Sequence, residues 1–391
     1  METLKFGIIG IGNMGSAHLS CLKNGEIENA TVVAACDISS EKRKKAAEKY
    51  PDLKLFKSAE ELFASGLVDA VIVATPHKFH ADIAIKALDA GLNVLVEKPE
   101  DITVTKAKML NDKAKKSGKI FGIMFNQRTN PLFREAREIV KSGKLGNLKR
   151  SVWIITNWYR TQAYYDSGDW RATWAGEGGG VLLNQAPHNL DIWQWICGMP
   201  AKVQAKCEVA KYHNIEVEDE AIINVVFEGG ANGTFITSTG EYPGTNRLEI
   251  SGEQGKIVLE NNVLKWWKLE QNEAEFRFAS KEGFDKIDMQ YLEIKPTSKE
   301  TAHRGILQNF TNAVLFGEEL IAPGYDGINE LTISNAAYLS AWNNGEEITL
   351  PFNSAEFDYL LACKAEKSAH HQNKGGALSG DGYSSRWSVR W

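Results

Sequence analysis

Three glycines near the start of the chain have the spacing of a pyrophosphate-binding turn. Gly10, Gly12 and Gly15 form a G-x-G-x-x-G pattern between an apolar run, Phe6–Ile9, and a helix-like segment at 16–22. In such a turn the first glycine permits a sharp bend, the second lets phosphate approach the backbone, and the third lets helix and strand pack closely. The helix N-terminus adds N–H groups that attract anions. We therefore predict a dinucleotide site, which also includes Ile11, Asn13 and Met14.

An acidic residue stands where the ribose of a dinucleotide is expected. The apolar strand Ala30–Cys36 ends at Asp37, which lies 22 positions (37 minus 15) after Gly15, close to the usual offset of roughly 20. A carboxylate here accepts hydrogen bonds from ribose hydroxyls and repels a 2′-phosphate, so NAD is favoured over NADP. Arg43 and the lysines beside it keep NADP open, and a turn that binds no nucleotide is the plain alternative.

Polar clusters follow two further buried strands of the N-terminal half. Ligands of a doubly wound sheet bind at the carboxyl ends of its strands, so we expect both clusters beside the nicotinamide half of the cofactor. A lysine next to a cationic ring has its ammonium form disfavoured, which makes Lys98 a candidate proton acceptor. The alternative is a salt bridge from Lys98 to Glu97. Pro99 indicates a fixed turn, with a cis peptide as one form of it. The cofactor contacts predicted in these clusters are Thr75, Pro76, His77, His80, Glu97 and Lys98.

A third cluster lies in the second half of the chain, after a triple glycine. Asn184, His188, Asp191 and Trp195 fall at i, i+4, i+7 and i+11, which is one face of a helix if the element is continuous. A lone helical histidine is usually structural, but this one shares its face with other polar residues. We therefore interpret His188 as a site residue.

The segment Asn157–Trp174 is rich in aromatic and arginine side chains. Rings offer stacking surfaces and guanidinium groups are fixed donors, as a sugar or polyol requires. An interdomain packing loop is an equal alternative. The substrate contacts predicted here are Arg160, Tyr164, Trp170 and Arg171, and weaker candidates elsewhere are His213, Glu241, Tyr242 and His303.

Bulk composition excludes several classes of function. The chain has 391 residues, 43% hydrophobic and 24% charged, and a net charge of −5. This charge gives no electrostatic reason to expect a nucleic acid or an anionic membrane as partner. Five cysteines without a C-x-x-C pair fit a reducing compartment, and no signal-peptide pattern or membrane-spanning run is seen. We expect a soluble, cytoplasmic protein, and the residue spacing predicts no metal site.

The length of the chain predicts two domains. Strands and helices alternate to about residue 125, which is typical of a doubly wound parallel α/β sheet. Alternating strands from Leu148–Trp158 onward indicate an antiparallel or mixed sheet, and helices around His303–Phe316 and Ile328–Asn343 are expected to close this second domain. The predicted units are a dinucleotide-binding domain at 1–125, a substrate domain at 126–373, and a tail at 374–391 that is disordered or docks on a neighbouring subunit.

Together these motifs resemble the Gfo/Idh/MocA oxidoreductases, which include glucose–fructose oxidoreductase and inositol dehydrogenase. The resemblance rests on the Gly10–Gly15 turn, Thr75-Pro76 with His80, Glu97-Lys98-Pro99 and the glycine-rich run ending in His188. It implies an N-terminal Rossmann domain and a C-terminal α+β domain whose large open sheet commonly forms the subunit interface, hence a dimer or tetramer. It further implies that Lys98 lies at the substrate hydroxyl, that His188 is the active-site histidine, and that Asn126 lies near the nicotinamide.

Two positions depart from the family pattern. Many family dehydrogenases carry an aspartate four residues before the histidine, where this chain has Asn184, which cannot take a proton. His77 replaces the asparagine often found after the Thr-Pro pair. We therefore assign proton transfer to Lys98 and His188, and we expect Asn184 to hydrogen-bond substrate or cofactor. This departure weakens a simple assignment as an inositol dehydrogenase.

The leading hypothesis is an NAD-dependent oxidoreductase that acts on a sugar, glycoside or polyol. A secondary alcohol passes hydride to nicotinamide C4 while Lys98 or His188 takes the hydroxyl proton. The resemblance favours C3 of a hexose or glycoside and implies that NAD can be held tightly. One alternative is a glycosidase that works by transient oxidation, elimination and re-reduction. A non-catalytic NAD-binding regulator ranks last because Lys98 and His188 are both present.

Overall fold

The N-terminal half folds around a parallel sheet of six strands, as predicted. The computed structural model describes residues 2–168 and 170–368, so the predicted tail lies outside the described residues. The strand order is β3-β2-β1-β4-β5-β6, and the strands are buried on both faces, which explains their continuous apolar runs. The strands are β1 Leu4–Ile9, β2 Ala30–Cys36, β3 Lys54–Phe56, β4 Ala70–Val73, β5 Asn93–Val96 and β6 Phe121–Ile123.

Helices cross over between these strands and cover both faces of the sheet. Helix α5 ends where Gly118 takes a left-handed conformation (φ 67°), which glycine adopts without strain. Strand β6 ends at Ile123, and Asn126–Thr129 forms a 3-10 turn. The crossover helices are α1 Asn13–Lys23, α2 Ser40–Lys49, α3 Ala59–Ala64, α4 His80–Asp89 and α5 Val104–Ser117.

The C-terminal half is built on a mixed sheet of nine strands, in the order β14-β13-β12-β11-β7-β10-β9-β8-β15. Strands β7 and β10 pair in parallel and the other neighbours pair antiparallel. The sequence analysis did not predict β13, β14 or β15, and its strand Leu148–Trp158 extends three residues beyond the end of β7. The strands are β7 Leu148–Ile155, β8 Pro200–Val209, β9 Glu218–Phe227, β10 Asn232–Ser238, β11 Asn246–Gly252, β12 Gly255–Glu260, β13 Val263–Leu269, β14 Met289–Ile294 and β15 Ile348–Thr349.

Helices pack against one face of this second sheet and carry much of the site. Trp193 lies between the rings of Phe227 and Phe235, each with centroids 5.6 Å away, so α9 is pinned to the sheet by aromatic packing. None of the helices within the described ranges is both long and apolar enough to cross a membrane. The remaining helices are α6 Pro131–Lys141, α7 Gln162–Tyr165, α8 Val181–Asn184, α9 Pro187–Cys197, α10 Glu273–Ala279, α11 Ala302–Phe316, α12 Gly327–Trp342 and α13 Ser354–Glu366.

Helix α11 contradicts the expectation that it closes the second domain. Its apolar residues Ile306, Leu307 and Phe310 belong to the core of the N-terminal sheet. The ring of Phe310 lies 6.1 Å from that of Phe6 in β1. The chain therefore returns to the first domain after β14, and it comes back to the second domain with α12 and β15.

Candidate active site

The glycine turn has the geometry of a phosphate-binding cradle. A Cβ at Gly10 (φ 91°) would lie 2.8 Å from the Ala74 carbonyl oxygen, and one at Gly15 would lie 1.8 Å from the Gly10 carbonyl oxygen. Both positions therefore require glycine. Gly12 is the N-cap of α1, no side chain caps that helix, and a Cβ at Gly12 would have no atom within 4 Å. Open space at an uncapped helix N-terminus is what a pyrophosphate needs.

Asp37 lies beside this turn and is almost fully buried. Its Oδ2 accepts the Ile11 N–H at 2.7 Å, and its Oδ1 accepts the Ser39 N–H at 2.8 Å. The ammonium of Lys42 is 3.5 Å from Oδ2. The guanidinium of Arg43, which kept NADP open, donates to the backbone carbonyl of Asp37 at 2.6 Å. The turn can thus hold the pyrophosphate of a dinucleotide, and Asp37 fits a ribose that carries no 2′-phosphate.

The ends of β4 and β5 are joined through His80. Its ring nitrogens lie 2.7 Å from the carbonyl oxygens of Thr75 and Pro99, and the Lys98–Pro99 peptide is cis. The side chain of His77 is buried nearby, and its ring is 5.8 Å from that of His80. Burial lowers the pKa of His77 well below its usual value, and the positive charge of Lys98 adds to this. Within the described residues, three predicted contacts keep buried polar atoms without a hydrogen bond, namely Thr75 Oγ1, His77 Nδ1 and Asn126 Oδ1. Such atoms suit a polar ligand.

Glu97 makes a contact that the sequence analysis did not anticipate. Its Oε1 lies 2.6 Å from His18 Nε2, which is 79 positions away in α1, and its Oε2 accepts the Lys98 N–H at 3.3 Å. Burial would raise the pKa of Glu97, but the His18 contact outweighs it and lowers the pKa to about 2. The carboxylate therefore fastens β5 to the helix that carries the glycine turn.

Lys98 and His188 form the centre of the site. Lys98 Nζ donates to the Asn184 carbonyl at 2.7 Å rather than to Glu97. Burial lowers the pKa of Lys98, an effect that Arg171 reinforces and Glu97, Glu330 and Glu177 oppose. Burial and the charge of Lys98 also lower the pKa of His188 well below its usual value. His188 Nδ1 has no hydrogen bond among the described residues. Burial thus shifts both side chains toward their neutral forms, the forms that can accept a proton.

The predicted helix face from Asn184 to Trp195 is not continuous. Helix α8 ends at Asn184 and α9 begins at Pro187, so the intervening turn separates Asn184 from the face of His188. Asp191 pairs with Arg128 at 2.6 Å, both side chains being fully buried. The same guanidinium lies 5.3 Å from the ring centroid of Trp195. These last two predicted members of the face therefore hold α9 in position.

A second buried carboxyl fixes the start of α8. Glu218 in β9 accepts the Gly180 N–H at 3.0 Å and the Leu182 N–H at 2.9 Å, and the Tyr338 hydroxyl donates to it at 2.7 Å. Burial raises the pKa of Glu218 to about 7. No local signal in the sequence marks this residue, because its partners lie more than 30 positions away.

The predicted aromatic and arginine segment borders Asn184. Tyr164 Oη accepts from Arg171 Nη1 at 2.9 Å and from Asn184 Nδ2 at 3.1 Å. Arg171 stacks over the rings of Tyr164 and Trp170, with centroid distances of 4.7 and 4.5 Å. Trp170 in turn lies 5.8 Å from the ring of His77. Arg160 stacks on the other side of Tyr164 at 5.1 Å. The four predicted substrate residues therefore form one connected surface next to Lys98.

Two of the weaker candidates border the site, since His303 is close enough for its charge to affect the pKa of His188 and His213 contacts the segment that carries Arg160. His213 is held by Asp219 and by the carbonyl of Arg160, each at 3.0 Å. The ring of His303 lies 6.1 Å from that of His18, behind the glycine turn. Tyr242 is 80% exposed and contacts the ring of Tyr159.

Comparison with known proteins decides the family. Residues 4–125 match a family model described as the oxidoreductase family, NAD-binding Rossmann fold, and residues 133–258 match the GFO/IDH/MocA C-terminal domain. The chain belongs to the Gfo/Idh/MocA family. As a member of this family it is an NAD-dependent oxidoreductase, and the predicted fold class and cofactor are confirmed.

This Gfo/Idh/MocA oxidoreductase is similar to several characterised proteins. It is 26% identical over 266 residues to myo-inositol 2-dehydrogenase of Thermotoga maritima, covering 66% of this chain and 75% of the relative. It is 24% identical to scyllo-inositol 2-dehydrogenase (NAD(+)) of Bacillus subtilis, covering 90% and 98%. The crystal structure of the WlbA dehydrogenase from Chromobacterium violaceum with NADH and UDP-GlcNAcA superposes with a TM-score of 0.77 at 25% identity, covering 90% and 97%.

Proposed function

We propose that this enzyme transfers hydride between NAD and a secondary hydroxyl of a sugar, glycoside or polyol. The observation that carries the proposal is Lys98, which follows β5, is buried, donates to the Asn184 carbonyl at 2.7 Å and has a lowered pKa. NAD, when bound, supplies the hydride acceptor. The cradle of Gly10–Gly15 and Asp37 would hold its pyrophosphate and ribose, and the side chains at the ends of β4 to β6 would face its nicotinamide.

In this proposal the protein moves a proton while the carbon is oxidised. Burial lowers the pKa of both Lys98 and His188, which shifts each toward the neutral form that can accept the hydroxyl proton. The hydrogen bond from Lys98 Nζ to the Asn184 carbonyl orients the lysine nitrogen. His80 and Glu97 fix the backbone on either side of Lys98, so the group that receives the proton is held in place.

The substrate class follows from the surface beside Lys98. Tyr164, Trp170 and Arg171 offer stacking faces and guanidinium donors, the combination that a polyhydroxylated ring requires. Relatives named inositol dehydrogenases and the nucleotide-sugar complex of the WlbA enzyme support the same class. Within it we propose C3 of a hexose or glycoside as the oxidised carbon.

A two-part experiment tests this function. The purified protein is denatured and any released nicotinamide cofactor is identified by mass. Native protein is then incubated with NAD and a panel of hexoses, glycosides and inositols, while NADH and product masses are followed. Loss of two hydrogens from one sugar class is expected. Release of an aglycone without net NADH would support the glycosidase alternative instead, and bound NAD with no reaction across the panel would support the regulator.

We also propose that the enzyme is a cytoplasmic homo-oligomer. Apolar side chains on the open face and outer edge of the second sheet are exposed in the single chain. A second copy of the chain would bury them in a subunit interface. Size-exclusion chromatography with light scattering tests this, and a mass of one chain, 43.4 kDa, would contradict it. The exposed residues are Ile222, Met289, Tyr291 and Leu292.

A further inference from the structure

One buried carboxylate in the site has no role in the function proposed above. Glu177 immediately precedes the triple glycine and is 1% exposed. Its Oε2 accepts the Ala172 N–H at 2.7 Å, and its Oε1 accepts from the side-chain amide of Asn184. Arg171 Nη1 lies 3.9 Å from Oε1. Both oxygens act as acceptors next to a guanidinium, which is the arrangement of an ionised carboxylate.

The contact with Glu177 determines how the Asn184 amide is oriented. Asn184 Nδ2 has two hydrogens, and its two partners are Glu177 Oε1 and the Tyr164 hydroxyl, the latter at 3.1 Å. Rotating the amide by half a turn would place Oδ1 against a carboxylate oxygen, and two acceptors repel each other. Oδ1 is therefore held on the side away from Glu177 and Tyr164. The backbone carbonyl of Asn184 accepts from Lys98, so the residue that carries this amide lies beside the proposed proton acceptor.

We propose that Glu177 is a positioning residue that turns the Asn184 amide oxygen toward the substrate, so that the site selects a hydroxyl donor next to the oxidised carbon. The inference rests on the proposed function and sharpens its substrate class to compounds with vicinal hydroxyls. A substrate that lacks the second hydroxyl leaves the oriented oxygen without a donor. The loss from such an unmet hydrogen bond corresponds to roughly 10- to 100-fold in kcat/KM.

A purely structural role would predict different behaviour from this positioning role. Ala172 and Arg171 also contact Glu177, so a brace for the 171–177 loop would also use this carboxylate. If Glu177 only stabilises this loop, changing it should lower the stability of the protein without altering the discrimination between substrate hydroxyls. The charged and titratable groups facing Glu177 are Arg171, Lys98, His77 and Tyr165. Burial raises the pKa of Glu177, while Arg171 and the two N–H donors oppose that shift.

An exchange of the amide and the carboxylate separates the two roles. Glu177→Gln keeps the shape of the side chain. Because the new amide can both donate and accept, it can pair with the Asn184 amide in either orientation. Asn184→Asp places two carboxylates in contact, which is unfavourable. The double variant Glu177→Gln/Asn184→Asp restores one donor and one acceptor with their places exchanged. The matched control is Asp166→Asn, a carboxylate-to-amide change in the neighbouring segment whose carboxylate accepts from Gln162.

The probes are methyl β-D-glucoside and its 2-deoxy and 4-deoxy analogues. We expect wild-type enzyme to discriminate against one analogue by about 10-fold or more, and Glu177→Gln to lose about 10-fold in kcat/KM together with this discrimination. The double variant should recover most of the loss, and Asp166→Asn should match the wild type. The calorimetric Kd of the glucoside for NADH-saturated protein should follow the same order, whereas the Kd of NADH should not change.

Two results would overturn the inference while leaving the function intact. One is a Glu177→Gln enzyme that keeps both the wild-type rate and the discrimination. The other is a double variant whose losses are the sum of those of the single variants, accompanied by a matching fall in melting temperature. Wild-type protein that oxidises no hydroxyl compound in the panel contradicts the proposed function itself, and that result is distinct from the other two.

Discussion

Replacing Glu330 with glutamine is expected to make the protein progressively more stable than the wild type as the pH rises. Glu330 lies in the first turn of α12 and is fully buried, and neither carboxyl oxygen has a hydrogen-bond partner among the described residues. The buried carboxyl of Glu100 also has no hydrogen-bond partner among the described residues. It lies against the start of α12, since a Cβ at Gly327 would be 2.7 Å from Glu100 Oε2. Burial raises the pKa of both carboxyls well above the usual value; Asp191 adds to the shift at Glu330 and Lys98 opposes it.

The sign of the effect follows from proton binding. A carboxyl with a raised pKa keeps its proton in the fold but loses it in the unfolded chain, so its stabilising contribution is complete below the unfolded value, about 4.3, and is lost as the pH rises through the folded pKa. In that window the free energy of unfolding falls by about 1.4 kcal/mol per pH unit for each such group. Glutamine does not titrate. The difference between Glu330→Gln and wild type should therefore widen by this amount, or about 2 °C in Tm per pH unit.

Thermal denaturation between about pH 5 and pH 8 measures this difference. The matched control is Glu228→Gln, an exposed position in the turn after β9, where the difference from wild type should stay constant. A Glu330→Gln difference that is the same at every pH would refute the reasoning, because it would mean that Glu330 is already ionised in the folded protein.

Three further substitutions have defined outcomes. Asp37→Ala removes the group that would repel a 2′-phosphate, so the ratio of kcat/KM for NAD to that for NADP should fall; an unchanged ratio would argue against the ribose role. Gly15→Ala places a Cβ 1.8 Å from the Gly10 carbonyl oxygen and should abolish NADH binding in a fluorescence titration. Arg128→Ala leaves Asp191 buried without its cation and should lower the free energy of unfolding by about 3–5 kcal/mol, measured in urea; a loss below about 1 kcal/mol would contradict this.

The first domain was predictable because its signals are local. Apolar runs such as Ala30–Cys36 are typical of buried strands, and the glycine pattern marks a turn in which positions 10 and 15 admit only glycine. The second sheet was predicted only in part. Strand β14 is exposed along its whole length, so it lacks the alternation of buried and exposed residues that identifies a strand.

The errors concern long-range packing. The sequence of α11 shows an apolar face but does not show which sheet this face covers. In the structure it packs against the first sheet, where Phe310 contacts Phe6. The shared face from Asn184 to Trp195 depends on one continuous helix, and this condition is not met because Pro187 starts a new helix. The contact between Glu97 and His18 joins residues 79 positions apart, so no local spacing pattern could predict it. Glu177 stands next to a motif that the sequence did identify, so its position in the chain was a usable signal.

The central claim is that Lys98 accepts the substrate proton in an NAD-dependent oxidation, and Lys98→Ala tests it most directly. Turnover of the substrate found in the panel and the Kd of NADH are measured side by side for wild type, Lys98→Ala and the surface control Lys86→Ala, whose ammonium pairs with Glu60. We predict that Lys98→Ala loses turnover by about 100-fold or more while NADH binding is retained, and that the control behaves as wild type. Full turnover by Lys98→Ala would contradict the account.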